Sequence, residues 1–548
     1  MAQPPLSSSD SAAQELLRQQ ERERLLRQQQ EQTPQVRLAT PTTLAPTRLP
    51  PTEFPCFRIE RLTLVGDAAD QFQWALAAAN PPDDPMLNRC LGNEGLNLTL
   101  TRVQNAIVER GYVTTRVLAT QQDLSSGTLT LTLVPGRVAA IRFSEDSDPR
   151  ATAFNAVPIT SGDLLNVRDI EQALENFKRA PSVDAGIQIT PLAGPATPPG
   201  TSDLLITWQQ ARPVRLSLSL DDSGSRYTGK YQGNATLSYD NPLALNDVFY
   251  LSLNHDLGFG SGKGTQGYTV HYELPYGKWL LGMTSSRYDY HQSVAGAFQT
   301  YRYGGTSNND NLQLSHLVYR DPLRRLGAYA RIWQRHSNNF IDDTEVQVQR
   351  RRMAGWELGM SYRQFFARAT LDASVTYRRG TGAFTALPAP EEGFGEGTSR
   401  PALLTAEGQV SIPLVFGSRQ WRYNGAWRGQ WNQTPLVPQD RFFIGSRYTV
   451  RGFDGESALL GDRGWLLRNE LSLALGDSTQ LYAGVDYGQI GGQSTQFSIG
   501  RRLAGAALGL RGSYQRLYWD AFAGTPVVKP DGFNASRLTV GFGLNWSF

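Results

Sequence analysis

The chain has 548 residues, 19% of them charged, and a formal net charge of +3 in which acidic and basic residues interleave; this argues against a nucleic-acid partner. It holds no eighteen-residue apolar run and its mean hydropathy is −0.38, which argues against a helical membrane span. The 53 Gly, 22 Tyr, 23 Phe and 11 Trp favour β-structure with many turns, and a membrane β-barrel passes the hydropathy test because only alternate strand residues meet lipid.

Residues 1–10 carry no apolar h-region, so an exported form of the chain is expected to have lost its signal peptide ahead of this numbering. Ser11-Ala-Ala-Gln14 is a capping-box pattern, and helix formers follow to Gln30 with Glu15/Arg18, Glu21/Arg24 and Glu23/Arg27 at helical spacing. This predicts one helix over 11–30. Leu16, Leu17, Leu25 and Leu26 form no continuous stripe, so the helix has little to bury and belongs in water or a wet cavity. Residues 31–55, with Pro34, Pro41, Pro46, Pro50, Pro51 and Pro55, read as an extended linker with a reach of about 75 Å at roughly 3.1 Å per residue.

Residues 56–136 read as strand 57–65, helices 68–79 and 99–110, and strands 112–118 and 128–134, a small α+β domain. Residues 137–210 repeat the order, with strand 138–143, a helix near 151–156, helix 167–179, and strands 183–190 and 204–208. The segment Tyr112, Val113, Thr114, Thr115, Arg116, Val117 and Leu118 is a candidate sheet edge for adding an extended client strand, the alternative being a plain solvent-facing strand. Cys56 and Cys90 sit in no CxxC pair and have no His nearby, so no metal site is expected. In an oxidising compartment they close a loop of about 35 residues, worth roughly 3–4 kcal/mol; two free thiols are the alternative.

From 211 to 548 the helical period disappears, and about sixteen segments of roughly ten residues alternate between apolar and polar faces. The last puts Leu538, Val540, Phe542, Leu544, Trp546 and Phe548 on one face and Thr539, Gly541, Gly543, Asn545 and Ser547 on the other. A small, uncharged second face suits a barrel wall between lipid and lumen. Short turns near 276–278, 320–325, 415–418 and 476–478 alternate with long connections, the layout of an outer-membrane barrel, and an even strand count puts the helix, linker and modules on the periplasmic side.

The long loop 433–462 contains Val450-Arg451-Gly452-Phe453. Together with the domain order, this motif resembles the lid-loop signature of outer-membrane insertases and translocases that carry POTRA domains, and specifically the two-partner secretion transporters of the TpsB branch. Asp240-Asn-Pro-Leu-Ala-Leu-Asn-Asp247 and Val485-Asp-Tyr-Gly488 resemble the same branch. The signature often ends in Tyr where this chain has Phe453, which lacks the hydroxyl. The resemblance implies a transmembrane antiparallel β-barrel of about sixteen strands preceded by an N-terminal helix and two small α+β POTRA-like domains. It also implies a lid that folds into the lumen and ties Arg451 to a carboxylate of the wall.

Strand parity supplies that carboxylate independently. With Leu481, Ala483, Val485 and Tyr487 toward lipid, Asp486 faces the lumen; with Trp465, Leu467, Leu471 and Leu473 toward lipid, Arg468 and Glu470 do too. Asp486 is therefore the expected partner and Glu470 a second acceptor. At about 4 Å and an effective dielectric near 20 the gross attraction is about 4 kcal/mol before desolvation. Gly452 lets the backbone turn beside the Arg.

Other readings are weaker. The 258–265 segment, Gly-Phe-Gly-Ser-Gly-Lys-Gly-Thr, misses the phosphate-loop spacing. No GxSxG exists, and His255, His271, His291, His316 and His336 are scattered, so no catalytic residue or cofactor is expected and a barrel phospholipase is a distant alternative. A passive porin needs neither tandem modules nor a lid. A barrel insertase is the closer rival, but the central members of that class carry more POTRA modules and no leading helix. By resemblance, the partner would be a secreted exoprotein of the adhesin, haemolysin or contact-dependent toxin type, recognised through its N-terminal secretion domain. The helix and the lid would fill the lumen at rest, outer-membrane lipid would surround the barrel, and Phe548 resembles the terminal signal read by the barrel assembly machinery.

Overall fold

The computed structural model describes residues 8–31, 34–39, 48–192, 198–258 and 262–548; much of the predicted linker and part of the 258–265 loop lie outside them. Helix α1 (Ser8–Gln30) begins ahead of the expected cap. Glu15 pairs with Arg18 at 2.6 Å and Glu21 with Arg24 at 3.1 Å. The expected Glu23/Arg27 pair does not form, because Arg27 forks onto both oxygens of Glu31 at 2.8 and 3.0 Å, a bidentate geometry a single contact cannot match.

In the first module the expected strand 57–65 breaks at Glu60: Phe57–Ile59 pairs with Arg89–Leu91, and Arg61–Gly66 runs parallel to Thr128–Val134. A disulfide joins Cys56 to Cys90, Cα atoms 5.3 Å apart, beside the smaller sheet. The 68–79 segment is a 3-10 helix, Ala69–Ala79. Helix α2 (Asn93–Glu109) starts six residues earlier than its periodicity suggests, because the Glu53 carboxylate accepts the N–H groups of Gly92, Glu94 and Gly95 and so satisfies its orphan donors from forty residues away in sequence. Only Arg116–Leu118 of the expected 112–118 strand is a strand, at the edge beyond Thr128–Val134. Tyr112 instead turns onto Phe72, ring centroids 4.8 Å apart, and the Thr115 hydroxyl accepts from the Gly136 N–H.

The second module is a sheet with Thr201–Gln210 between Arg137–Phe143 and Val183–Pro191, packed on helix α3 (Val167–Phe177). No helix forms at 151–156. That segment spends its polar groups on the barrel: Arg150 donates to the Asn241 carbonyl, Asn155 to the Pro275 carbonyl at 2.9 Å, and Asn246 to Asn155 at 3.0 Å. Those bonds outcompete one short turn of helix. The Asp240–Asp247 stretch is thus the turn on which this module docks, and buried Asp240 accepts from Arg215 and from the Ser182 N–H.

Among the described residues, sixteen long antiparallel strands from Val214–Asp221 to Thr539–Ser547 close a barrel, with the two-residue strand Thr344–Glu345 at its side. First and last strands pair from Ser217↔Ser547 to Asp221↔Gly543. Leu538, Val540, Leu544, Trp546 and Phe548 are exposed on the outer face, as alternation requires, and Phe542 is half-buried. Trp465, Leu467 and Leu471 are likewise exposed; Leu473, expected on that face, is buried.

Candidate functional site

The site is built where the loop 433–462 re-enters the barrel. Its stem is a short hairpin, Phe442–Ile444 with Leu459–Gly461. Phe442, Ile444, Val450, Phe453 and Leu459 bury themselves against Leu466, Ile490 and Leu503 of the wall and against Phe533. This apolar seat explains why a polar-looking loop folds inward. Phe453 meets Phe533 edge to face at 5.7 Å, so the position is held by packing rather than by a hydroxyl. Asp440, at the base, pairs with Arg335 at 2.9 Å.

Arg451 projects from this loop to the wall. Its backbone N–H and Nε donate to Asp486 Oδ2 at 2.9 and 2.7 Å, and one terminal nitrogen reaches Oδ1 at 2.8 Å. The other terminal nitrogen donates to Glu470 Oε2 at 2.6 Å. The first also bonds the Asn469 carbonyl at 3.0 Å. Arg451, 5% exposed, and Asp486, 1% exposed, are a buried pair whose donors and acceptors are nearly all used, the condition under which such a pair repays its desolvation.

Parity therefore places Asp486 and Glu470 where the lid arrives, and it turns Arg468 inward as well, 3.7 Å from Asp486 and bonded to the Tyr448 carbonyl. It misses Arg511, which holds the other oxygen of Glu470 at 2.8 Å, and Arg447, which joins the lid to Asp222 at 2.7 Å and to the Phe542 carbonyl of the last strand. It also misses the glycines that receive the loop. A Cβ on Gly484 would stand 2.2 Å from the Arg451 guanidinium, one on Gly505 1.8 Å from the Arg451 carbonyl oxygen, and one on Gly524 2.9 Å from Gly452. Gly452 itself has φ +97°, and its own Cβ would strike Thr525 at 2.4 Å. Inward glycines on three adjacent strands are a legible signal: they mark where another segment lies directly on the wall, its backbone at Gly505 and Gly524 and the Arg451 side chain at Gly484. The segment Tyr112 to Leu118 is in the first module and takes no part in this site.

Helix α1 runs through the same lumen. Glu15 accepts from Thr228 and Tyr288 at 2.9 and 2.6 Å, and Glu21 pairs with Arg428 of the wall at 2.7 Å. Near its other end Gln30 and Glu31 meet Ser238 and Tyr250 at 3.3 and 3.0 Å. Arg18 donates to the Gly455 carbonyl at 2.7 Å, so helix and lid touch inside the barrel. Its flat distribution of charge suits a cavity lined by hydroxyls and guanidinium groups.

A closed barrel carrying two periplasmic-type modules, an inserted helix and an inward lid defines an outer-membrane transporter of the POTRA-bearing class. Residues 200–512 match the family described as haemolysin secretion/activation protein ShlB/FhaC/HecB, 58–136 match the ShlB-type POTRA domain and 137–191 match a second POTRA domain. The outer membrane transporter CdiB-2 of Burkholderia pseudomallei is 37% identical over 94% of this chain and 90% of its own. The structure of CdiB from Acinetobacter baumannii is similar with a TM-score of 0.86 at 31% identity, covering 98% of this chain and 99% of that one, and CdiB from Escherichia coli with 0.86 at 26% over the full length of both. The chain belongs to the ShlB/FhaC/HecB family of two-partner secretion transporters. It is an outer-membrane protein whose POTRA domains lie in the periplasm.

Proposed function

We propose that this transporter exports a large unfolded exoprotein, of the adhesin, haemolysin or contact-dependent toxin type, through its barrel. The POTRA domains take up the N-terminal secretion domain of that partner, and helix α1 and the Arg451 lid close the path at rest. The observation that carries the gating is the contact of helix and lid within one lumen, Arg18 on Gly455, with Arg451 held to both Asp486 and Glu470. Opening then requires the helix to leave and the lid to shift.

The test is conductance of the purified barrel in a planar bilayer. Deleting residues 1–30 should raise it, and an unchanged value would sink the plug. Secretion of the partner encoded with this transporter should fall in Arg451→Ala while the barrel still assembles. The exchange Arg451→Asp with Asp486→Arg asks whether that pairing is the relevant one.

A further inference from the structure

Just below the barrel, residues 34–39 of the linker alternate half-buried and exposed like a strand, yet pair with no sheet. Their backbone is read by side chains instead. The N–H of Val36 donates to Glu175 at 3.2 Å and that of Leu38 to Glu171 at 2.7 Å, while the Val36 carbonyl accepts from Arg320 at 2.6 Å. Glu171 and Glu175 are each 1% exposed. Arg320, on the barrel turn, bridges both at 2.8 and 2.9 Å, and Arg325 holds the far oxygen of Glu175 at 2.8 Å.

The spacing is what makes this a groove. Two carboxylates one turn apart on α3 lie about 6 Å apart along the helix axis, and two N–H groups two residues apart in an extended chain are separated by about 6.7 Å. A helix can therefore read an extended backbone of any sequence, with charge-assisted bonds in place of a sheet ladder. Side chains add selectivity: Val36 and Leu38 pack on the second module's core, and the Arg37 guanidinium lies 4.5 Å from the Phe365 ring centre.

We infer that this groove between α3 and the 320–325 turn is a docking site for an extended, unfolded segment of the exported client carrying an apolar–basic–apolar triplet, and that the linker occupies it as a competitor until α1 leaves the lumen. The inference rests on the secretion reading above. The linker supplies the reason: a segment of this same chain already sits there in the required conformation, at the mouth the client must enter.

The probe is a fluorescein-labelled peptide of residues 34–39, Pro-Gln-Val-Arg-Leu-Ala, titrated into the full-length protein in detergent and read by anisotropy. In the double variant Val36→Pro, Leu38→Pro the linker loses both N–H donors, so the peptide should bind about tenfold tighter than to the unaltered protein. A peptide with Pro at the same two positions should not bind. Phe365→Ala should weaken the Arg-bearing peptide and leave an Ala-for-Arg version unchanged. Heat-modifiable migration confirms that each variant is folded. No binding to the folded double variant, or equal binding of the Pro peptide, overturns the groove. Because the readout involves no secretion, that failure leaves the transport reading standing, and loss of conductance gating leaves the groove standing.

Discussion

Gly505→Ala tests the seating of the lid without removing any charge. The new Cβ would stand 1.8 Å from the Arg451 carbonyl oxygen, and that neighbour is backbone, so the lid has to retreat roughly 1.5–2 Å to reach ordinary contact. The bonds from Arg451 to Asp486 at 2.7 and 2.8 Å would lengthen beyond hydrogen-bonding range. Two charge-assisted bonds at about 1.5–3 kcal/mol each put the loss near 3–6 kcal/mol gross, enough to raise the unseated population by at least about a hundredfold. Trypsin added to intact cells reads the result, because Arg451 is 5% exposed in the seated lid. Gly505→Ala should be cut within the loop and secretion should change, while Gly543→Ala, whose Cβ would meet nothing within 4 Å, should behave like the unaltered protein. A folded Gly505→Ala barrel with full protection and normal secretion would refute the reasoning.

Three further outcomes follow from the modules and the terminus. Replacing Cys56 and Cys90 with Ser should lower the stability of the first module by about 3–4 kcal/mol, seen by calorimetry as a downshift of its transition alone; an unmoved transition counts against the estimate. Asp84 accepts from the Leu49 N–H and from Arg102 and Arg89, and the Leu49 bond foremost, then Arg102, holds its carboxyl below the usual aspartate range. Its stabilisation is therefore full above roughly pH 4 and lost as pH falls through the depressed value, so the melting gap between the unaltered protein and Asp84→Asn should narrow in acid; a gap that widens would reverse the sign. Deleting Phe548, which stacks on Trp546 at 4.8 Å and donates its N–H to the Leu216 carbonyl, should deplete heat-modifiable barrel from the outer membrane, and normal accumulation would remove the terminal signal from the account.

What the sequence makes legible is whatever depends on local period. The alternation of Leu538 to Phe548 and the parity of Asp486 and Glu470 follow from one strand at a time, and the charge-dressed pattern of α1 follows from helical spacing. What it hides depends on partners far along the chain. The start of α2 depends on Glu53, the loss of a helix at 151–156 on the turn at Asn241 to Asn246, and the shortening of the 112–118 edge on Phe72 and Gly136. The lid glycines fall between: Gly484, Gly505 and Gly524 are visible as small inward residues, but only the loop's path explains them.

The way α1 is held has a mechanical consequence. Its wall partners are strung along the barrel axis, from Tyr288 and Arg428 near the outer side to Ser238 and Tyr250 near the periplasm, and the linker joins its inner end. A pull on that end loads the bonds in shear, all together, rather than peeling them singly. A greasy rod would then have to move in one costly slip. From Glu15 to Arg27 the rod carries a Glu or Arg on each turn, and in a bore lined with hydroxyls and guanidinium groups it can trade partners at each 5.4 Å step of the helix, so in the proposed opening friction would replace a single large barrier and withdrawal would be graded with the force applied.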